Sequence, residues 1–367
     1  MAEGQCRVCG SQSHLIAEIL SVCVSCIRRR PGAALPSIRE VHGRIRSEFG
    51  LPPEVPTTHG GVACSLCANA CRLGEGELGQ CGLRTGRKGR LVHLAGLPQG
   101  AMVSWYDDPL PTNCVADWVC QGTRVAAVRR GPRKVNLAVF YEACTFNCVS
   151  CQNWHYRLKR PAELVNAKEL AAQAHQHTFC VCFFGGDPTP QMPHALATAR
   201  SLANRGVTVC WETNGSMDSQ LLDQAVDLSL ESGGCVKFDL KAFDENLHLA
   251  LTGVGNWRTL ENLRRAVRRM PEQRALRHGQ GVPPLVVAST LLVPGYVDAE
   301  EVGRIASFIA GIDPDTPYAL LAFHPNFYVP DLPSTSVRHA EEAMGAARAA
   351  GLTRVRVGNR HLLSRAY

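Results

Sequence analysis

Cys144, Cys148 and Cys151 place three thiols inside one eight-residue stretch, Cys144-Thr-Phe-Asn-Cys148-Val-Ser-Cys151. Three cysteines on one loop can hold a metal cluster and leave one coordination position open. An open position lets a substrate or cofactor bind the metal, whereas a closed four-ligand site is usually structural. On spacing alone the alternative is a structural zinc loop that borrows a fourth ligand from elsewhere. The apolar run Val135 to Tyr141, just before the thiols, reads as a short buried strand emptying into the loop.

The chain of 367 residues carries 17 cysteines, many of them in CxxC or CxxxC pairs. An odd number of thiols, with no export signal in MAEGQCRVCG, argues against a disulfide framework and for thiolates kept reduced to bind metal. No run of about 18 uninterrupted apolar residues is present, so a membrane span is not expected, and the expected location is the cytoplasm. The net charge of +7 is modest for this length. Arg28 to Arg30 and Arg264, Arg265, Arg268 and Arg269 read as solvated faces rather than a nucleic-acid surface.

Two further cysteine sets precede the central one. Cys6, Cys9, Cys23 and Cys26 form two CxxC knuckles, the soft tetrahedral ligand set of a zinc ribbon over residues 1–30. His14, between them, is a weak substitute ligand. So small a module lacks apolar mass, and its metal would supply much of its folding free energy. Residues 31–60 read as a linker, interrupted by Pro31, Pro36, Pro52 and Pro53, with a short helix from Ser37 to Phe49. Residues 61–133 read as a Cys-rich domain in which Cys64, Cys67, Cys71 and Cys81 hold zinc or an auxiliary iron-sulfur cluster. Spacing leaves both open, with a lean toward a structural role over an electron relay. Short apolar runs at Leu91 to Leu94 and Val125 to Val128 suggest strands there, and Cys114 and Cys120 read as small buried residues.

Residues 134–367 repeat a unit of apolar strand, polar loop and helix. Strands are expected at Val135 to Tyr141, Phe179 to Phe184, Val207 to Glu212, Val236 to Leu240, Leu285 to Val293 and Tyr318 to Phe323, with a weaker seventh at Arg354 to Val357. Near-continuous apolar strands alternating with helices indicate an α/β fold, a partial (β/α)6 TIM-type barrel behind the N-terminal Cys-rich metal-binding modules. The endings of the six strands carry the cysteine loop, Gly185-Gly186-Asp187-Pro188, Glu212-Thr213-Asn214-Gly215, Asp239-Leu240-Lys241, Val293-Pro294-Gly295 and His324-Pro325. Barrel enzymes place their sites at the carboxyl ends of the strands, so these pieces should converge on one cavity. Cys180, Cys182, Cys210 and Cys235, within or beside the strands, read as core.

The CxxxCxxC spacing followed by Gln152-Asn153-Trp154 resembles the signature of radical S-adenosylmethionine (SAM) enzymes, in the branch of pyruvate formate-lyase activating enzymes and AmmeMemoRadiSam proteins. Gly79-Gln80-Cys81-Gly82 and Asp108-Pro109 extend the resemblance, although the family usually has Pro-Gly-Thr where this chain has Cys120-Gln121-Gly122-Thr123. The resemblance implies that Cys144, Cys148 and Cys151 bind three irons of a 4Fe-4S cluster while SAM chelates the fourth. Reductive cleavage of SAM would then give a 5′-deoxyadenosyl radical that abstracts hydrogen from a substrate. It further implies that Gly185, Gly186 and Asp187, the last in place of a family Glu, meet the SAM amino group. Glu212, Thr213, Asn214, Asp239, Lys241 and His324 would line the SAM site, with Lys241 complementing a carboxylate and His324 approaching ribose or substrate. Trp154 and His155 would pack over the cluster. The implied partners are a reductant such as flavodoxin or ferredoxin and an unidentified substrate, a protein, peptide or small molecule, preferred here over a glycyl radical enzyme awaiting activation. From another class, a noncatalytic zinc or iron-sulfur scaffold competes.

Overall fold

The computed structural model describes residues 3–112, 114–120, 133–158, 163–276 and 283–367. The expected strand at Val125 to Val128 and the Gln121-Gly122-Thr123 segment lie outside them. Eight strands form one open sheet: β1 (Val103–Pro109), β2 (Val135–Tyr141), β3 (Thr178–Gly185), β4 (Thr208–Thr213), β5 (Val236–Asp239), β6 (Val286–Leu292), β7 (Tyr318–Ala322) and β8 (Val355–Gly358). They neighbour one another in strict sequence order. β2 to β8 are mutually parallel, and β1 pairs antiparallel with β2 at the edge. The barrel is therefore partial and unclosed, with six expected strands, a seventh in β8, and an edge strand the sequence did not announce. β1 escaped notice because the adjacent Asp107 and Asp108 interrupt any apolar run.

Successive side chains along a strand face opposite ways, and that alternation builds two cores. Val139, Val181, Phe183, Val209, Trp211, Val236 and Phe238 face outward and pack in one large cluster with the covering helices. Cys182, Cys210, Cys235 and Val287 instead make a smaller inner cluster, plugged by Ala116 and Val119 of the 114–119 segment. Small thiols suit the narrow lumen of a barrel, and burial bears out the reading of these cysteines as core.

The segment expected as a linker instead contains an 18-residue helix, Pro31–Glu48. Pro31 stands at its start, where no N–H is needed, and Pro36 near the first turns removes one backbone donor without stopping the helix. Its buried residues Ala34, Ile38, Val41 and Ile45 recur at helical spacing and join the large core, with His42 buried beside them. Proline punctuation hid only the first turns of this helix, which the letters showed from Ser37 onward.

Ahead of it, Gly4–Gln5 pairs with Gln12–Ser13, and a short helix, Val24–Arg29, follows Cys23. This module docks by three polar anchors and an apolar face. Tyr296 Oη accepts from Ala17 N at 3.0 Å and donates to Val22 O at 3.2 Å. Arg28 reaches Asp298 at 2.9 and 3.0 Å and the fully buried Glu301 at 3.0 Å. Ile16, Leu20, Val22 and Ile27 complete the seam within the large core.

Candidate active site

The carboxyl ends of the parallel strands surround a cavity of about 400 Å³. Cys144, Cys148, Cys151, Gly185, Gly186, Asp187, Glu212, Thr213, Asn214, Asp239 and Lys241 all line it. Four of the six anticipated strand endings thus meet at one place, whereas Val293-Pro294-Gly295 and His324-Pro325 are not among the lining residues. The His324 ring is exposed, with Nδ1 donating to Pro325 O at 2.9 Å, and it is not among the cavity-lining residues. Only its backbone approaches the site, where its carbonyl accepts from Gln152 Nε2 at 3.2 Å.

The thiol loop is clamped from several sides. Asn147 N donates to Thr252 O at 2.8 Å and Val149 N to Leu251 O at 3.0 Å, at the end of helix Glu245–Thr252. The Asn147 amide donates to His42 Nδ1 at 2.9 Å, so His42 carries its proton on Nε2 and gives it to Ala250 O at 3.1 Å. Burial lowers the His42 pKa to about 4, keeping the ring neutral and the tautomer fixed. A helix of the supposed linker thereby positions the central loop.

Two glycines let β3 pass beneath that loop. A Cβ on Gly185, whose φ is +105°, would lie 2.5 Å from Tyr141 N, and one on Gly186 would lie 2.2 Å from Ala143 O. No larger residue fits either position without moving the stem of the thiol loop.

Asp187, in the cavity wall, is held by its neighbours. Its carboxylate is buried and accepts from Thr189 N at 2.8 Å, Thr213 Oγ1 at 3.0 Å and Asn214 N at 2.7 Å. It ties the end of β3 to the end of β4. Being one methylene shorter than Glu, it spans that gap and no further. Asn214 then reaches from the same turn to Thr145 Oγ1 at 2.8 Å and toward Cys144 Sγ at 3.7 Å.

Charge in the cavity is arranged around buried thiols. Burial pushes Cys144 and Cys148 up to about 12 and raises Cys151 as well, so cations or a metal are needed to hold thiolates here. Lys241 pairs with Asp239. Although burial opposes its charge, Asp239 and the Cys148 and Cys151 sulfurs hold its ammonium well above the usual value. Asp239 Oδ1 is buried and makes no hydrogen bond among the described residues.

Two participants, Arg157 and Lys237, were not singled out from the sequence. Arg157 is 5% exposed, stacks within 5.4 Å of the Phe49 and Tyr156 rings, and brings a second cation to the three sulfurs. Lys237, 1% exposed, lies on the inner face of β5 opposite Glu212 in the β4–β5 register. Its Nζ stands 3.4 Å from Glu212, 2.9 Å from Cys182 Sγ and 3.3 Å from Cys114 Sγ. Cys114 lines the cavity as well. Alternation along Val236-Lys237-Phe238-Asp239 puts Lys237 on the same face as Asp239, and that was a readable signal. Trp154 stacks on His155 at 4.0 Å and on Phe327 at 5.2 Å, beside the loop.

Sulfur spacing separates the cysteine sets. The ligand atoms of Cys6, Cys9, Cys23 and Cys26 all lie within 4.8 Å of one another, with Cys9 and Cys23 Sγ 3.8 Å apart. Bonds of about 2.3 Å to one tetrahedral ion set its sulfurs roughly 3.8 Å apart. Among the described residues neither Cys144, Cys148 and Cys151 nor Cys64, Cys67, Cys71 and Cys81 gather that closely. Around a cluster each sulfur takes a different iron and stands farther from its neighbours, which the central trio fits.

Residues 138–309 match the radical SAM superfamily. An isethionate sulfite-lyase activating enzyme from Oleidesulfovibrio alaskensis is 34% identical over 141 residues, 38% of this chain and 40% of that one. The pyruvate formate-lyase 1-activating enzyme of Escherichia coli is 26% identical over 134 residues, 35% of this chain and 54% of that one. The chain thus spans only about half the length, or less, of these two relatives. An uncharacterized protein from Methanocaldococcus jannaschii is 24% identical over 308 residues, 81% of each chain. The part of the open barrel that carries the three-thiol loop is thus the part that matches the radical SAM superfamily.

Proposed function

We propose that the chain is a radical SAM enzyme that abstracts hydrogen from a polypeptide substrate. A 4Fe-4S cluster with SAM supplies reductive cleavage of the cofactor to a 5′-deoxyadenosyl radical. Cys144, Cys148 and Cys151 would hold the cluster, and the observation that carries the reading is their convergence, half-buried, on one clamped loop at the cavity wall, without the close grouping of a single-ion site among the described residues. Lys241 suits the carboxylate of a zwitterionic ligand, and Glu212 and the free oxygen of Asp239 suit its ammonium and hydroxyl groups. Buried charges of this kind are tolerated when each meets an opposite partner. Arg157 and Lys241 favour the thiolate forms that bind metal, and the aromatic wall of Trp154 and Phe327 limits water beside the loop.

The named relatives are activating enzymes of other enzymes, which supports a protein substrate; activation of a glycyl radical enzyme is the narrower form of that reading. A reductant of the flavodoxin or ferredoxin class would supply the electron. Cys6, Cys9, Cys23 and Cys26 suit a single zinc ion that fixes the docked module. No described helix is long and apolar enough to cross a membrane.

The test is anaerobic reconstitution with iron and sulfide, reduction, and addition of SAM. Release of 5′-deoxyadenosine that vanishes in Cys148→Ala supports the reading. Full iron loading without cleavage, with several reductants and candidate polypeptides, returns the chain to the scaffold class.

A further inference from the structure

We propose that the hairpin formed by Arg84–Arg87 and Arg90–His93 is the docking arm for the electron donor, an acidic redox protein of the flavodoxin class, seated so that one electron passes through the root of the arm to the Cys144 loop. The second half rests on the reading of that loop as a cluster site. Arg87-Lys88-Gly89-Arg90 puts three cations on the turn between the two strands. Lys88 and Gly89 both take left-handed backbone, with φ of +48° and +70°, the conformation that closes a two-residue hairpin along its own twist. All four residues are exposed. Among the described residues the side chains of Arg87, Lys88 and Arg90 make neither ion pair nor hydrogen bond. As it stands the turn repels itself. Arg87 and Arg90 are direct cross-strand partners, and like charges placed opposite one another destabilise a hairpin. Edge protection does not account for the pair, because one acid and one base would shield the edge as well and attract. The carboxylates of the neighbouring loop are already engaged. Glu75 accepts from Lys88 N at 2.7 Å, and Glu77 accepts from Gly74 N at 2.8 Å and Thr58 Oγ1 at 2.6 Å. An anionic surface laid on the tip relieves the repulsion that the chain itself leaves uncompensated.

The other end of the hairpin is fixed to the stem of the thiol loop. Arg84, 1% exposed, donates to the carbonyls of Leu83 and Ala95 at 2.8 and 2.9 Å and reaches that of Pro190, in the turn after β3. Leu83 and Ala95, one on each side of the hairpin, pack with Ala143, which directly precedes Cys144. Gly86 lies so close to the neighbouring loop that a Cβ there would stand 2.4 Å from Gly74 O, so the arm is held along its length. At about 3.3 Å per residue the tip stands about 10 Å from this root. Residues 84–93 are not among those lining the cavity, so a protein seated on the tip leaves the cavity to SAM and substrate.

Sign and footprint select the occupant. Three cations on one turn match a compact acidic patch on a protein, whereas a nucleic-acid backbone asks for a longer basic stripe, which Glu75 and Glu77 interrupt here. Small flavin-bearing electron carriers are acidic and meet that description. Complementary charge of this kind speeds encounter and sets orientation more than it tightens the complex, which suits a donor that must leave after each turnover. In transfer, one electron leaves the reduced flavin of the donor and arrives at the site on the Cys144 loop. No bond in this chain is made or broken.

The experiment uses the full chain, a purified bacterial flavodoxin and charge reversal. Arg87→Glu, Arg90→Glu is expected to weaken flavodoxin binding about tenfold or more in low-salt calorimetry, with added salt narrowing the difference. Stopped-flow reduction of the reconstituted protein by reduced flavodoxin should slow by a similar factor, while reduction by dithionite is unchanged. The same reversal at the exposed Arg264 and Arg268, on and just after helix Trp257–Val267, should leave flavodoxin binding and reduction near wild type. Arg90→Glu alone turns the repulsive pair into an attractive one, so binding should fall while the melting temperature holds or rises, which separates docking from folding. Absence of wild-type binding, equal binding by the double variant, or an equal loss in the Arg264, Arg268 control overturns the proposal. So does retention of duplex DNA by the tip in place of flavodoxin. Binding requires no loaded cluster, so docking is decided even where iron and sulfide fail to load, and that failure would count against the reading of the Cys144 loop instead.

Discussion

At the scale of single residues, Gly186 is the position of the site with least freedom. Its Cβ-to-be sits 2.2 Å from a backbone oxygen of the thiol-loop stem, which no side-chain motion relieves. Gly186→Ala is expected to cost about 2 kcal/mol or more and to lower iron retention, read as visible absorbance after desalting. Lys237 is the opposite case, a costly charge kept in a barrel lumen. Lys237→Met preserves bulk but leaves Glu212 without its cation, and affinity for SAM should fall about tenfold in calorimetry, the worth of one charged hydrogen bond. Unchanged affinity would remove Glu212 from the SAM site. Residue types at the strand ends were legible because glycine pairs, acids and thiols punctuate apolar runs. The direction of Asp187 was not, since its three donors come from positions 189, 213 and 214. His324 likewise looked like a site residue from its place after β7, yet its ring turns back on its own chain.

Elements carry the next level of specification. The parallel strands announced themselves through continuous apolar runs, and their order follows from short right-handed crossovers between sequential neighbours. The Pro31–Glu48 helix was underestimated because proline weighs heavily in any local reading, although its buried positions repeat at helical spacing. Docking of the terminal module depends on Arg28, whose partner Glu301 is fully buried. Arg28→Ala should lower unfolding free energy by about 3 kcal/mol in urea, the scale for breaking a buried pair. Stripping metal from Cys6, Cys9, Cys23 and Cys26 with a strong chelator should lower the melting temperature in the same direction, because that metal organises the module. An unchanged melt after verified metal loss would show that the apolar seam suffices.

For the molecule as a whole, buried histidines set an acid limit. Burial lowers His42, His194 and His248 to about 4 each, against 6.5 for a free ring. The unfolded chain takes these protons first as pH falls, so their contribution is complete above about 6.5 and is lost progressively toward 4. Urea midpoints should therefore decline across that window, and less steeply in a His194→Gln, His248→Gln variant. Parallel slopes would assign the loss to other groups. Global architecture was legible to the extent that local periodicity dictates it. The union of the amino-terminal residues with the barrel core was not, because it rests on contacts between distant positions such as Ala17 and Tyr296.

The bond from Asn147 to His42 joins a front-end helix to the innermost loop of the barrel. A barrel trimmed of its first 49 residues would lose that brace and should assemble poorly however intact its own sequence. Any exchange of leading modules among such proteins would have to transplant a matching brace along with them.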